Sequence, residues 1–188
     1  IQPNIKPELR DPNNFWLPIT YRARVLAYNP EKVNTNELSS YEDLTKDVWK
    51  NRILVRTSTN AYNQALMSSI VAHNGEEFAL NWANNMVDNF AREPKGNDRD
   101  QIRAIVAGVG DLAIVNSYYV GLLLSSNDSL DRIVGESVKV FFPNQGDKER
   151  GAHVNISGIG LLKNAPNREN AVKFMKFLTS DYAQKYYT

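Results

Sequence analysis

Three tyrosines carry the chemistry that this sequence offers. Tyr118 and Tyr119 stand side by side in Asp111-Leu-Ala-Ile-Val-Asn-Ser-Tyr-Tyr-Val-Gly, at the start of a predicted helix, and Tyr62 occupies a matching strand-turn-helix context after Thr57-Ser-Thr-Asn-Ala. A phenol has an ordinary pKa of about 10, so it ligates a metal near neutral pH only when the cation displaces its proton. The product is a hard oxygen donor. The chain has no Cys and two His, so the softer donors that suit zinc or copper are scarce. Phenolates fit a hard, highly charged ion, ferric iron above all. A helix start assists, because its unpaired N–H groups and about half a positive charge stabilise an anion in the first turn. Two such turns, one with Tyr62 and one with Tyr118 and Tyr119, would bring three phenolates to one crevice and nearly neutralise a trivalent ion. On residue types and spacing alone, an aromatic pair packed over a sheet is an equally good reading.

The elements that must position these residues are legible as alternating periodicities. Tyr21-Arg-Ala-Arg-Val-Leu-Ala-Tyr alternates and reads as a strand ended by Asn29-Pro30. A short helical turn is expected around Tyr41 to Leu44. Arg52-Ile-Leu-Val-Arg reads as a compact strand, and Thr57-Ser-Thr-Asn offers N-cap side chains to a helix through Gln64 to Val71. Beyond Gly75, Phe78, Trp82, Met86 and Phe90 recur four apart, which predicts a helix with a core-facing stripe. A helix over Asp98 to Ala107 ends at Gly108-Val-Gly, before a strand at Leu112 to Val115. Further strands are predicted at Val138 to Phe142 and Val154 to Leu162, around a polar loop from Asn144 to Gly151. Helices follow at Asn167 to Leu178 and after Ser180. This alternation implies an α/β sheet, mostly parallel, with helices on both faces and ligands at the carboxyl ends of its strands.

Composition narrows the function classes. With 188 residues and 42% hydrophobic composition the chain can bury a core. The formal net charge of +1, from 22 basic and 21 acidic residues, gives no footprint for nucleic acid or an anionic membrane. No apolar run reaches the roughly 18 residues of a membrane span, and Ile1-Gln-Pro-Asn-Ile-Lys-Pro lacks the basic and apolar regions of a signal peptide. Gly108-Val-Gly and Gly158-Ile-Gly lack full phosphate-binding spacing, and no nucleophile-elbow motif is present. With no general base identifiable beside the tyrosines, the expectation is a binding protein and not an enzyme. His73, at a helix end, and His153, at a strand start, are expected to be structural. Arg22 and Arg24 could balance phenolate charge, but on an alternating strand the solvated reading is preferred.

Several stretches carry a family resemblance: Tyr21 to Val33, Ser39-Ser-Tyr-Glu-Asp-Leu, Thr57-Ser-Thr-Asn-Ala-Tyr-Asn-Gln, Asn89-Phe-Ala-Arg-Glu-Pro-Lys-Gly-Asn-Asp, Asn116-Ser-Tyr-Tyr, Asn155-Ile-Ser-Gly-Ile-Gly and Ala165 to Leu178. In combination and order they resemble the periplasmic ferric-ion-binding proteins of bacterial ABC transporters, especially the cyanobacterial branch. The resemblance implies a lobe of the type II periplasmic-binding-protein kind. It makes Tyr62, Tyr118 and Tyr119 the Fe(III) ligands, with Ser58, Thr59, Asn60 and Asn97 as polar groups around the ion or a synergistic anion. It implies delivery to an inner-membrane permease, without nucleic acid or membrane insertion. The alternative is a binding protein for another small solute, such as a polyamine, a phosphonate or another anion.

Members of that family are much longer. The expected division is a connecting segment over 1–18, the second lobe with the tyrosine ligands over 19–144, and a crossover strand and helices over 145–188 that partly serve the first lobe. Further ligands would come from that first lobe. A lobe without its companion segments is expected to self-associate or to fold marginally.

Overall fold

The structure, a computed structural model, describes residues 5–187. Ile1 to Asn4, the first residues of the Ile1 to Pro7 stretch in which no signal peptide is read, and Thr188 lie outside the described residues. The elements in chain order are β1 (Trp16–Tyr28), β2 (Ile53–Leu54), α1 (Ala61–Asn74), α2 (Glu76–Asp88), α3 (Asp98–Val106), β3 (Leu112–Asn116), α4 (Ser117–Leu124), α5 (Ser129–Glu136), β4 (Lys139–Phe141), β5 (Val154–Gly160), α6 (Arg168–Leu178) and α7 (Asp181–Gln184). Short 3-10 turns add to these, including one at Glu42–Thr45 where a helical turn is predicted. The chain divides into two compact units, Ala23–His153 and Ile1–Arg22 with Val154–Thr188.

In the larger unit the strand order is β2-β3-β1-β4. The α/β class with flanking helices is as expected, but the sheet is mixed and not mostly parallel. Of these four strands β2 and β3 run parallel, and β1 is antiparallel to both β3 and β4. The direction of β1 depends on a partner more than 80 residues downstream, Leu112 opposite Tyr28, which local periodicity does not encode.

Every residue of β1 from Ala23 to Tyr28 is buried, because helices cover both faces of the sheet. On one face Leu26, Tyr28, Ile53, Leu112 and Ile114 pack with Leu66 and Ile70 of α1 and Ala79, Trp82 and Met86 of α2. On the other, Ala23, Val25, Ala27, Leu54, Ala113 and Val115 pack with Ile102 and Ile105 of α3 and Val120 and Leu123 of α4. Trp82 is packing, as expected, and its indole N–H donates to the Tyr41 carbonyl at 2.8 Å. Phe78, the first residue of the predicted stripe, is exposed. Gly75 separates α1 from α2 with φ 87°, and its N–H closes α1 on the Val71 carbonyl.

Helix α5 is not among the elements expected above. Leu130, Ile133 and Val134 stand at helical spacing, but only Val134 packs against the core, while Leu130 and Ile133 are exposed. It is capped by Asp128, whose carboxylate accepts from the Leu130 N–H, and lies so close to α4 that a Cβ on Gly135 would sit 2.9 Å from the Leu124 nitrogen.

In the smaller unit β1 starts at Trp16, inside the expected 1–18 segment, because β5 supplies it with a pairing partner. A Cβ on Gly158 would fall 2.5 Å from the Trp16 ring. Helices α6 and α7 follow, and Ser180 caps α7 as predicted. Phe177, Tyr182 and Tyr186 form an exposed series of ring contacts. No helix among the described residues is long and apolar enough to cross a membrane.

Candidate metal site

Both tyrosine-bearing turns follow an extended asparagine, although only the first of the two caps its helix with its side chain. At α1 the Asn60 side chain accepts from the Tyr62 N–H at 2.9 Å, placing Tyr62 second in the helix. At α4 the extended residue Asn116 ends β3 and precedes Ser117, which places Tyr118 and Tyr119 second and third. Each phenol therefore springs from a helix's first turn.

The three phenols meet. The Tyr118 hydroxyl interacts with those of Tyr119 and Tyr62, and the Tyr118 and Tyr119 ring centroids lie 4.2 Å apart with planes tilted by 31°. Burial, followed by hydrogen bonding to Tyr119 and Tyr62, holds the Tyr118 phenol above its ordinary pKa. The residue is still 38% exposed, so the cluster opens to solvent on one side. Among the described residues no group of three or more His, Cys, Asp or Glu side chains stands together as another metal site.

Beneath the phenols lies a charged network that sequence reasoning missed. Arg24, expected in solvent, is 1% exposed and donates through Nη1 to Asp98 at 2.7 Å and to the Asn116 side-chain oxygen at 3.2 Å. Its Nη2 donates to the Asn63 side-chain oxygen at 2.6 Å and to the Ile114 carbonyl at 3.1 Å. Arg24 is buried because β1 is covered on both faces; the solvated reading assumed one wet face. Its register partner across the ladder is Asn116. Arg22 is part-buried rather than freely solvated and donates to Ser157 Oγ at 2.8 Å.

Asp98 is fully buried at the start of α3 and also accepts from Arg56 Nη1 at 3.1 Å and from the Asn116 N–H at 2.8 Å. Burial lowers the pKa of the Arg24 guanidinium, and the Asp98 charge opposes that effect. Arg24 and Arg56 lie 5.9 and 5.6 Å from the Tyr62 ring centroid, so two cations border its face. The signal in sequence was the Asn97-x-x-Asp100 capping box, which fixes where α3 starts and turns Asp98 inward.

The expected anion-binding set is spread over two turns. Ser58 and Thr59 are exposed, and Thr59 bonds Thr57 at 3.0 Å. The Asn60 and Asn97 side-chain oxygens are engaged as helix caps, Asn97 with the Arg99 and Asp100 N–H groups. The histidines are structural in placement. His73 lies in the last turn of α1, and His153 donates its backbone N–H to the Tyr41 hydroxyl at 3.1 Å.

Residues 2–188 match the model of a family described as bacterial extracellular solute-binding protein. The chain is 50% identical over 186 residues to iron uptake protein A1 of Synechocystis sp., covering 99% of this chain and 51% of that protein. It is 51% identical over 183 residues to iron uptake protein A2 of the same organism, with 97% and 53% covered. The chain thus spans about half the length of the curated relatives it matches. Among solved structures it is similar to Trichodesmium IdiA (FutA) in complex with iron and citrate ligands, with a TM-score of 0.89, 49% identity and coverage of 94% of this chain and 55% of that one. With a model matched along nearly its whole length and a fold shared at that level, this chain belongs to the bacterial extracellular solute-binding proteins, which carry solutes and are not enzymes.

Proposed function

We propose that this chain provides the tyrosine-bearing lobe of a periplasmic carrier that binds Fe(III) through Tyr62, Tyr118 and Tyr119 and delivers it to an inner-membrane ABC permease. The observation that carries the reading is the meeting of three phenols from two distant helix starts. Packing alone gives no reason for three hydroxyls to share one spot, whereas a hard trivalent cation rewards the arrangement by replacing three protons. The relatives' names, iron uptake proteins, and the iron and citrate of the Trichodesmium complex support the same chemistry. Three phenolates leave part of a six-coordinate shell open, and a small oxygen anion such as citrate suits the remainder.

The test is titration of the chain with ferric citrate, followed in the visible region for phenolate-to-iron charge transfer. A saturable band, lost in the Tyr118→Phe/Tyr119→Phe double variant while the fold persists, is expected. Absence of the band, or its survival in the double variant, overturns the assignment. A thermal-shift response to a polyamine or phosphonate would then direct attention to another solute.

A further inference from the structure

We propose that Asp98, Arg24 and Asn63 form a positioning clamp that fixes the two tyrosine-bearing turns relative to each other before any ion arrives; the role in metal binding rests on the iron reading above. The need for such a device follows from the layers. Helix α1 buries its apolar side chains against one face of the sheet and α4 against the other, so no shared apolar layer sets the spacing of their first turns. The connection is polar. From Asp98, one link runs to the Asn116 N–H at 2.8 Å, two residues before Tyr118. A second runs through Arg24, 2.7 Å from Asp98, to the Asn63 side-chain oxygen at 2.6 Å, one residue after Tyr62.

The Asn63 amide then donates to the Arg56 carbonyl at 2.8 Å, tying α1 back to the segment that follows β2. Asp98 itself is held by the capped start of α3, where Asn97 and Asp100 exchange hydrogen bonds. Apolar contacts tolerate small slides. Charge-assisted hydrogen bonds between buried, planar groups have one favourable geometry and transmit it to the groups they hold. Outer partners that orient ligands strongly influence metal affinity, and ordering them in the apo state removes a cost of binding.

The clamp is tested in the chain as it exists, labelled with 3-fluorotyrosine and read by 19F NMR without metal, then by ferric citrate titration. Asn63→Ala cuts the bond from Arg24 to α1 together with those from Asn63 to the Arg56 and Thr57 carbonyls, and spares the link to Asn116. It is expected to move the Tyr62 resonance, leave those of Tyr118 and Tyr119 in place, and weaken ferric affinity at least ten-fold with a shifted charge-transfer maximum. Asp98→Asn is expected to move all three resonances. Variants that fold, lose stability, yet keep the wild-type resonances, band maximum and affinity would overturn the clamp, since that is the behaviour of a merely structural network. If Asp98→Asn fails to fold, Asn63→Ala decides, because its side chain is only part-buried. A wild-type chain without a charge-transfer band defeats the iron reading alone; the apo resonances still decide whether the turns are clamped.

Discussion

Arg24 and Asp98, separated by 74 positions in the chain, form an ion pair at 2.7 Å with both side chains out of contact with water. A second guanidinium, from Arg56, reaches the other carboxylate oxygen at 3.1 Å. One anion thus serves two cations beneath the phenol cluster, and the backbone N–H of Asn116 completes its coordination at 2.8 Å.

Removing that anion should be costly. Asp98→Ala leaves Arg24 buried without its counter-charge, and a loss of about 3–5 kcal/mol is expected. The pair between Lys173 and Glu169 is nearly as short, at 2.8 Å, but exposed, so Lys173→Ala should change stability by less than about 0.5 kcal/mol. Urea unfolding of the two variants against the parent chain measures the contrast; equal losses would contradict it.

The caps make a smaller and separable contribution. Asn97→Ala removes the acceptor for the Arg99 and Asp100 N–H groups, and Asn60→Ala removes that for Tyr62. Each should cost about 1 kcal/mol by urea unfolding. Asn97→Ser, which keeps an acceptor, should recover most of the loss.

Alkaline pH should unfold the protein partly through Tyr41. Burial pushes its phenol up to about 12, and its hydroxyl donates to the Arg24 carbonyl at 2.6 Å. The unfolded chain ionises near the ordinary value of about 10, so above that pH it sheds a proton that the native state retains. The stabilisation is complete below pH 10 and is lost as the pH rises through about 12, a decline of at most about 3 kcal/mol. Stability measured across that window should fall less steeply in Tyr41→Phe, from a lower starting value because the hydroxyl contacts are gone.

Acidification acts through His153. Burial, then the charges of Arg24 and Arg150, lower its pKa below the ordinary 6.5. The unfolded chain therefore takes up a proton first. The contribution is present above pH 6.5 and is lost as the pH falls through the lower native value. His153→Gln keeps the backbone bond to Tyr41 and should flatten the dependence of the melting temperature on pH below 6.5; an unchanged slope would refute this.

What the sequence determined by itself is what depends on near neighbours. Asn60 before α1 and Asn116 before α4 marked two helix starts with tyrosines in their first turns, and the alternation in Tyr21-Arg-Ala-Arg followed by Val25 to Tyr28 marked β1. Caps and periodicities are local interactions, readable within a few residues of the chain. The tertiary structure decided what distant segments meet. It set β1 antiparallel to β3, buried Arg24 by covering both faces of its strand, and delivered Asp98 to it across 74 positions. It also brought the hydroxyl of Tyr62 to that of Tyr118. A charged residue on an alternating strand looks solvated until its partner and the second covering layer are known, because burial and charge compensation belong to the packed assembly and not to the segment.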